Sequence, residues 1–402
     1  MFPENNSRAL PASGFSLYLH IPFCLSRCGY CSFTSSVIDP VPEGAYLQAV
    51  LNELAAGAAC WSGRPIKSIY VGGGTPSLLS PAFYEGFFAR LFSRFTVVEG
   101  AEITLEANPA TLTREKIKAY LAVGINRFSL GLQTFTDQGL KLLGRCHTVA
   151  DGLQAVAELQ HCGVDNLSLD LIYAYPGQTI DALHGDLEQI SSLGAAHIAA
   201  YCLSIEPETP LGQAVAAGTV VPVGLDLQAG FMEEVNTVLD RRGYRRYEIS
   251  NYARTGFASR HNQAYWNLDD YWGLGAGAWS SRRVKRDVQC WAVRTMYGLE
   301  VVAYMTAFRK PLPAGDDSAP AAIDCISYES SFAERIIMGL RLIKGVDLEE
   351  VAAEYDYMLV ADLLQRLQPL IEVGLLKAAD HRLRLTGRGL LLADEIALEV
   401  LA

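Results

Sequence analysis

From residue 15 to about residue 250 the chain alternates short apolar runs with longer amphipathic stretches of helical period. The apolar runs 16–20, 66–71, 102–106, 126–131, 166–172 and 197–204 read as strands. The stretches 43–61, 81–94, 113–123, 150–162, 179–193 and 226–243 read as helices. Such β-α repeats predict a parallel sheet, because each parallel connection needs a crossover of about a dozen residues. Val71 runs into Gly-Gly-Gly-Thr and Glu106 into Ala-Asn-Pro, so polar or glycine-rich sequence follows strand ends. Active sites of these folds lie at the C-terminal ends of the strands. The expected fold class is α/β, a partial (β/α)6 barrel, with an open doubly wound sheet as the alternative.

The pattern divides the chain further. Residues 1–14 read as a flexible tail and 15–250 as the barrel. Residues 251–309 are rich in glycine and aromatics, contain HNQAYW and GLGAGAWSS, and are expected to pack on the barrel. The stretch 310–322, KPLPAGDDSAPAA, has the composition of a linker. From 323 to 402 a compact helical domain is expected: helices at 331–344, 348–355 and 359–373, a hairpin at 375–385 and a last helix from Gly387. Helices followed by a hairpin resemble a winged helix, read here as a lid or docking module.

Composition narrows the function classes. At 402 residues, and about 100–200 residues per domain, two or three domains fit. Half the residues are hydrophobic, which excludes wholesale disorder. The net charge of −11 repels phosphate backbones, so no nucleic-acid partner is expected. The one basic cluster, Arg241, Arg242, Arg245 and Arg246, reads as a solvated helix end. No apolar run reaches the ~18 residues of a membrane span, and the first residues lack the pattern of a signal peptide. A cytoplasmic protein is expected, with peripheral membrane association left open. Nine cysteines, an odd number without a secreted framework, point to metal binding or chemistry rather than disulfides.

Cys24, Cys28 and Cys31 have the spacing C-x3-C-x2-C in a loop after a strand. Thiolates are soft ligands that suit iron–sulfur clusters. Three ligands on a four-iron cluster leave one iron open to a cofactor or substrate. A structural zinc ion would take four protein ligands, and no fourth Cys or His lies in the loop. Zinc and simple buried thiols remain the alternatives at this point. Cys60, Cys146, Cys162, Cys202, Cys290 and Cys325 have no metal spacing and receive no role.

The phrase YLHIPFCLSRCGYCSF resembles the cluster loop of the radical S-adenosylmethionine superfamily. More narrowly, the chain resembles the branch that holds the oxygen-independent coproporphyrinogen III oxidases and the HemW heme chaperones. The likeness extends through GGGTPS, LEANP, GINRFSLGLQTF, DLIYAYPGQT, LSIEPETPL, YEISNYA and HNQAYW, nearly the whole chain. It implies a [4Fe-4S] cluster on Cys24, Cys28 and Cys31 with S-adenosylmethionine at the open iron. It also implies that Gly73, Gly74 and Thr75 meet the amino group of the methionine moiety. Glu106, Gln133, Arg145 and Asp170 match further cofactor contacts. Arg145 offers a planar fork to a carboxylate, and Asp170 suits ribose hydroxyls. Tyr18 and Tyr30 match aromatic positions that pack on the cofactor, and His147 reads as a supporting or surface residue.

Three features separate the branches. The oxidases carry a further cysteine two positions after the third, and here that residue is Phe33. They also carry a long N-terminal extension, whereas only a short tail precedes Tyr18 here. HNQAYW matches the H-N-x-x-Y-W pattern of the heme chaperones and makes His261 the candidate axial ligand for heme iron, with Tyr265 and Trp266 against the porphyrin. The chain departs from the chaperones at Trp279, where they have histidine, and at Ala174 and Tyr175, where they read Gly-Leu. A heme chaperone is the leading expectation: it binds heme, passes it to acceptor proteins such as respiratory enzymes, and draws electrons from a reductant protein. The rivals are a radical enzyme acting on a porphyrin, by decarboxylation, methylation or ring opening, and a protein whose cluster only stabilises the fold.

Overall fold

The computed structural model describes residues 14–298, 300–311 and 322–401. The expected tail at 1–14 and linker at 310–322 lie mostly outside the described residues. Six strands pair side by side in chain order and all in parallel: β1 (Phe15–Ile21), β2 (Ile66–Gly73), β3 (Val97–Ala107), β4 (Arg127–Gln133), β5 (Leu167–Tyr173) and β6 (His197–Cys202). The crossovers carry α1 (Glu43–Trp61), α2 (Pro81–Phe92), α3 (Arg114–Ala122), α4 (Asp137–Leu142), α5 (Val149–His161) and α6 (Ile180–Ser192); α7 (Pro210–Ala216) and α8 (Leu225–Arg241) follow β6. Threonines set several of these starts. Thr113, Thr136, Thr148 and Thr179 each accept a hydrogen bond from a backbone N–H of the first turn, and Thr148 forms a reciprocal capping box with Asp151.

The strand order never reverses, so there is no switch point and the doubly wound alternative falls away. Crossovers of one hand then put the helices on one face and curl the sheet into an incomplete barrel. Alternation along the strands fits that curl. Leu17, Leu19, Ile69, Val71, Leu105, Phe128, Leu130, Leu169 and Leu171 are buried in the core shared with the helices. Their neighbours Ser16, Tyr18, Ser68, Tyr70, Glu102, Glu106, Ser129, Ser168 and Asp170 are hydrogen-bonded in the interior. The barrel is therefore oily outside and polar inside.

The segment after the barrel is more than packing. β8 (Asn251–Ala253) extends the sheet past β6, antiparallel to it, and β7 (Arg245–Arg246) pairs antiparallel with β8 at the edge. The short helix α9 (Arg260–Trp266) follows. β9 (Tyr271–Leu274) then pairs in parallel with β1, and β10 (Trp279–Asp287), β11 (Cys290–Met296) and β12 (Ala322–Ile326) continue outward as an antiparallel ribbon. Helix α10 (Val301–Ala307) lies between β11 and β12 in the chain. Buried Glu53 of α1 ties this segment down, accepting from Gly275 N–H at 2.8 Å and Tyr304 Oη–H at 2.6 Å.

The C-terminal piece has its own core, centred on Ile336, Val351, Leu363, Leu367 and Leu383. It consists of α11 (Tyr328–Leu340), α12 (Leu348–Glu354), α13 (Tyr357–Glu372), α14 (Gly387–Leu390) and α15 (Ala393–Leu401). The expected hairpin is β14 (Leu376–Ala379) with β15 (Arg382–Leu385), joined by the two-residue strand β13 (Val346–Asp347). Helix α11 starts earlier than its apolar pattern suggested, because Ser327 caps it through Ser330 N–H. It also ends earlier, because Leu342 bridges to Glu248 and Ile343 N–H donates to Tyr247 O.

Candidate functional site

The C-terminal ends of the strands surround a cavity of about 360 Å3, lined in part by Cys24, Cys28, Cys31, Gly73, Gly74, Thr75, Glu106, Gln133, Arg145 and Asp170. The loop after β1 carries the three thiols. It is held at its base by Ser36 N–H to Pro22 O and Cys24 N–H to Ser36 O, and at its far side by Gly29, which donates to Leu143 O and accepts from Leu211 N–H. Gly74 and Thr75 come up against it: their N–H groups donate to Ile21 O at 2.7 Å and Phe23 O at 2.8 Å. A Cβ on Gly74 would stand 2.9 Å from Cys24 Sγ and 2.7 Å from Phe23 O, so only glycine permits this approach. Gly73 has a φ of +116°, and a Cβ there would strike the His20 ring at 2.5 Å. The glycine run thus fits strand to loop.

Among the described residues no three His, Cys, Asp or Glu side chains are grouped to hold a single metal ion. A four-iron cluster makes a different demand, since each thiolate reaches its own iron and the sulfurs stand apart. Three cysteines on one cavity wall fit that cluster and not a closed zinc site. The rest of the wall fits a cofactor with both charges. Arg145 points one Nη at Cys28 Sγ, at 3.6 Å, donates the other to Gly131 O at 3.0 Å, and leaves Nε buried without a partner. Glu106 accepts from Tyr70 Oη–H at 2.7 Å and Gly73 N–H at 3.0 Å; burial, with Asp170 nearby, lifts its carboxyl to about 7. Asp170 accepts from Ser129 Oγ–H at 2.9 Å, and burial raises it as well. A cation or hydroxyls in the cavity would relieve both.

The opposite end of the barrel is closed by the segment around HNQAYW. Glu102 accepts from Ser259 Oγ–H, Arg260 N–H and His261 N–H, all at 3.1 Å, and so seats the start of α9. Ser68 donates to Ser16 and therefore accepts from His261 Nδ1–H at 2.9 Å. The Nε2 lone pair of His261 is then taken by Tyr265 Oη–H at 3.3 Å. His261 is 1% exposed and stacks on Tyr70; burial, then Arg127, depresses its pKa to about 3. Nearby His197 is bonded likewise, to Ser168 at 2.8 Å and Tyr247 at 2.9 Å. An iron needs a free imidazole lone pair facing open space, and His261 has neither.

The comparisons with known proteins agree with this architecture. Residues 18–190 match the radical SAM superfamily model and residues 329–392 the HemN C-terminal domain model. The heme chaperone HemW of Lactococcus lactis subsp. lactis (strain IL1403) is 31% identical over 389 residues, covering 95% of this chain and 96% of the relative. That of Bacillus subtilis (strain 168) is 32% identical over 386 residues, covering 95% and 97%. The chain belongs to the HemW heme chaperone family. Among solved structures, the coproporphyrinogen III oxidase HemN of Escherichia coli matches with a TM-score of 0.81 at 20% identity, over 98% of this chain and 91% of that one. At that identity the match establishes a common fold.

Placed on this HemW-family fold, most of the expected site residues converge. Cys24, Cys28, Cys31, Tyr30, Gly73, Gly74, Thr75, Glu106, Gln133, Arg145 and Asp170 line one cavity. Tyr18 does not; its hydroxyl donates to His20 Nδ1 at 3.0 Å, while His20 Nε2–H donates to Thr34 O at 2.8 Å. His147 is buried off the cavity, with its pKa lowered to about 4 by burial and by Arg145. Tyr70, Ser129, Tyr201, Cys146 and Cys202 also line the cavity and escaped the sequence reading. Strand parity held the signal for three of them: Tyr70, Ser129 and Tyr201 share the inward register of Ser68, Arg127 and His197. Of the basic cluster, Arg242 pairs with Glu188, Arg245 with Asp240, and Arg246 donates to Ile249 O.

Proposed function

We propose that this chain is a heme chaperone that carries a [4Fe-4S] cluster on Cys24, Cys28 and Cys31, binds S-adenosylmethionine in the adjoining cavity, and hands heme to acceptor proteins. The observation that carries the reading is the convergence of three thiols, Arg145 and two buried carboxylates on one cavity, in a chain that matches curated heme chaperones almost end to end. When bound, the cluster and the sulfonium supply one-electron chemistry; the protein's part is to bind, orient and shield.

The residues divide that work. Arg145, its guanidinium set between Cys28 and Gly131 on the cavity wall, takes the cofactor carboxylate. Glu106 and the segment Gly73, Gly74 and Thr75, all on the cavity wall, take up the ammonium. Asp170, oriented by Ser129, accepts from ribose hydroxyls. Tyr30, packed with Leu143 and Ile172, closes the wall beside the thiols. Phe33 is 66% exposed at the mouth, in the position where the oxidases place a further cysteine, and so adds no ligand. A reductant protein, heme acceptors and a cytoplasmic location go with this reading. No helix among the described residues is long and apolar enough to cross a membrane.

The test is an anaerobic reconstitution followed by spectra with heme, with S-adenosylmethionine and with both. A cluster spectrum, a saturable heme spectrum and transfer of heme to an apo-acceptor are expected. Release of 5′-deoxyadenosine in step with conversion of a porphyrin would replace the chaperone reading with that of a radical enzyme.

A further inference from the structure

Two residues at the cavity end of the sheet hold backbone conformations that L side chains rarely adopt. Gln133, at the end of β4, has a φ of +73°, and Ala174, just after β5, has a φ of +60°. Neither is glycine, and such a strained conformation persists only where its surroundings dictate it. At Gln133 the pairing of β4 with β5 also slips: Gly131 faces Asp170, but Gln133 faces Leu171. Slip and twist together re-aim a side chain. The carboxamide folds back over Gly131, where a Cβ would meet Gln133 Nε2 at 2.8 Å and Arg145 Nη2 at 3.1 Å. Gln133 is thereby delivered to the cavity wall beside Arg145.

The surroundings that dictate this turn centre on Asp186, a carboxylate of α6 that is 2% exposed and does not line the cavity. One oxygen accepts from Phe135 N–H at 2.8 Å; the other accepts from Thr134 Oγ–H at 2.7 Å. Asp186 thus grips the two residues that follow Gln133. Tyr175 joins them, its hydroxyl 3.3 Å from Thr134 Oγ1. That contact links the turn after β4 to the strained turn at Ala174, which Gln178 holds by accepting from Ala174 N–H at 2.7 Å.

We infer that Asp186 is a positioning residue of the cofactor cavity: through Thr134 and Phe135 it fixes Gln133 in the left-handed turn that sets its carboxamide beside Arg145. The inference rests on the cavity being the S-adenosylmethionine site. With the grip released, the backbone relaxes toward an extended conformation and the carboxamide leaves the wall.

The experiment measures S-adenosylmethionine affinity of the cluster-loaded protein by calorimetry for wild type, Asp186→Asn, Gln133→Ala and the double variant, with iron content and thermal midpoint recorded for each. Asp186→Asn and Gln133→Ala are each expected to weaken binding by roughly tenfold, about one hydrogen bond. The double variant is expected to bind no more weakly than Gln133→Ala, because Asp186 acts through Gln133. Thr134→Val, which keeps the carboxylate and its Phe135 contact, is expected to show a smaller loss and serves if Asp186→Asn does not fold. Wild-type affinity in both Asp186→Asn and Thr134→Val would overturn the inference alone. So would losses that multiply in the double variant. A wild-type protein that loads its cluster but binds no S-adenosylmethionine would overturn the inference together with the proposed cavity.

Discussion

The two ends of the barrel are built from the same kinds of residue and do opposite things. At the N-terminal end Glu102, His197 and His261 are buried and fully engaged: three donors on the carboxylate, and both nitrogens of each ring partnered. At the C-terminal end Glu106 and Asp170 line open space, and Arg145 keeps a buried nitrogen without a partner. Polarity inside a fold therefore does not mark a functional site. Nor does one unpaired buried atom, since Arg127 Nε beside His261 lacks a partner too; what marks the site is polar chemistry that faces a cavity.

The largest effect that can test this contrast is at the thiols. Cys24→Ser is expected to abolish the cluster, as read by iron and sulfide content, while leaving the thermal midpoint of the apo-protein nearly unchanged. A large drop in that midpoint would mean that the thiol itself is structural. At the other end, His261→Ala removes two buried hydrogen bonds and a packed ring. It is expected to destabilise by roughly 2–4 kcal/mol in urea titration. Heme and S-adenosylmethionine affinities of the folded variant are expected to match wild type, and selective loss of heme binding by stable protein would break the division between the ends. Arg145→Lys keeps the charge but loses the fork, and should weaken S-adenosylmethionine by about 1.5–3 kcal/mol in calorimetry with little change in stability.

Acid sharpens the same comparison. The folded pKa of His261, about 3, lies below the ordinary imidazole value, so the unfolded chain binds the extra proton. The stability from neutral His261 is complete above about pH 6.5 and is lost as pH falls toward 3, by up to ~1.4 kcal/mol per pH unit. His261→Gln should flatten that slope, measured as urea midpoint against pH. The smallest effect is expected at Ala174→Gly, where relief of the left-handed alanine should raise stability by roughly 0.5–1 kcal/mol.

Much of the fold was legible because its determinants are local. The apolar alternation placed β1, β2, β4, β5 and β6 to within two residues, while β3 begins five residues before its expected start, and the helical period of 43–61 gave α1 its observed bounds. The thiol loop was legible because its three cysteines fall within eight residues of chain. The place of HNQAYW was not legible, for the converse reason. A histidine among aromatics looks the same whether it faces a ligand or a sheet, and the partners that decide, Ser68, Glu102 and Tyr70, lie far away in sequence.

The sequence by itself determined the repeating β-α architecture, the spacing of the three clustered cysteines and the family, since spacing and period are properties of the chain. Only the tertiary structure decided which end of the barrel each motif serves. It put Cys24 and Arg145 on an open cavity and closed the far end with His261. It also recruited Asp186, which no motif announced, to hold Gln133. The physical reason is that burial and hydrogen-bond satisfaction depend on neighbours brought together by folding, and these, more than residue type, separate a working group from a structural one.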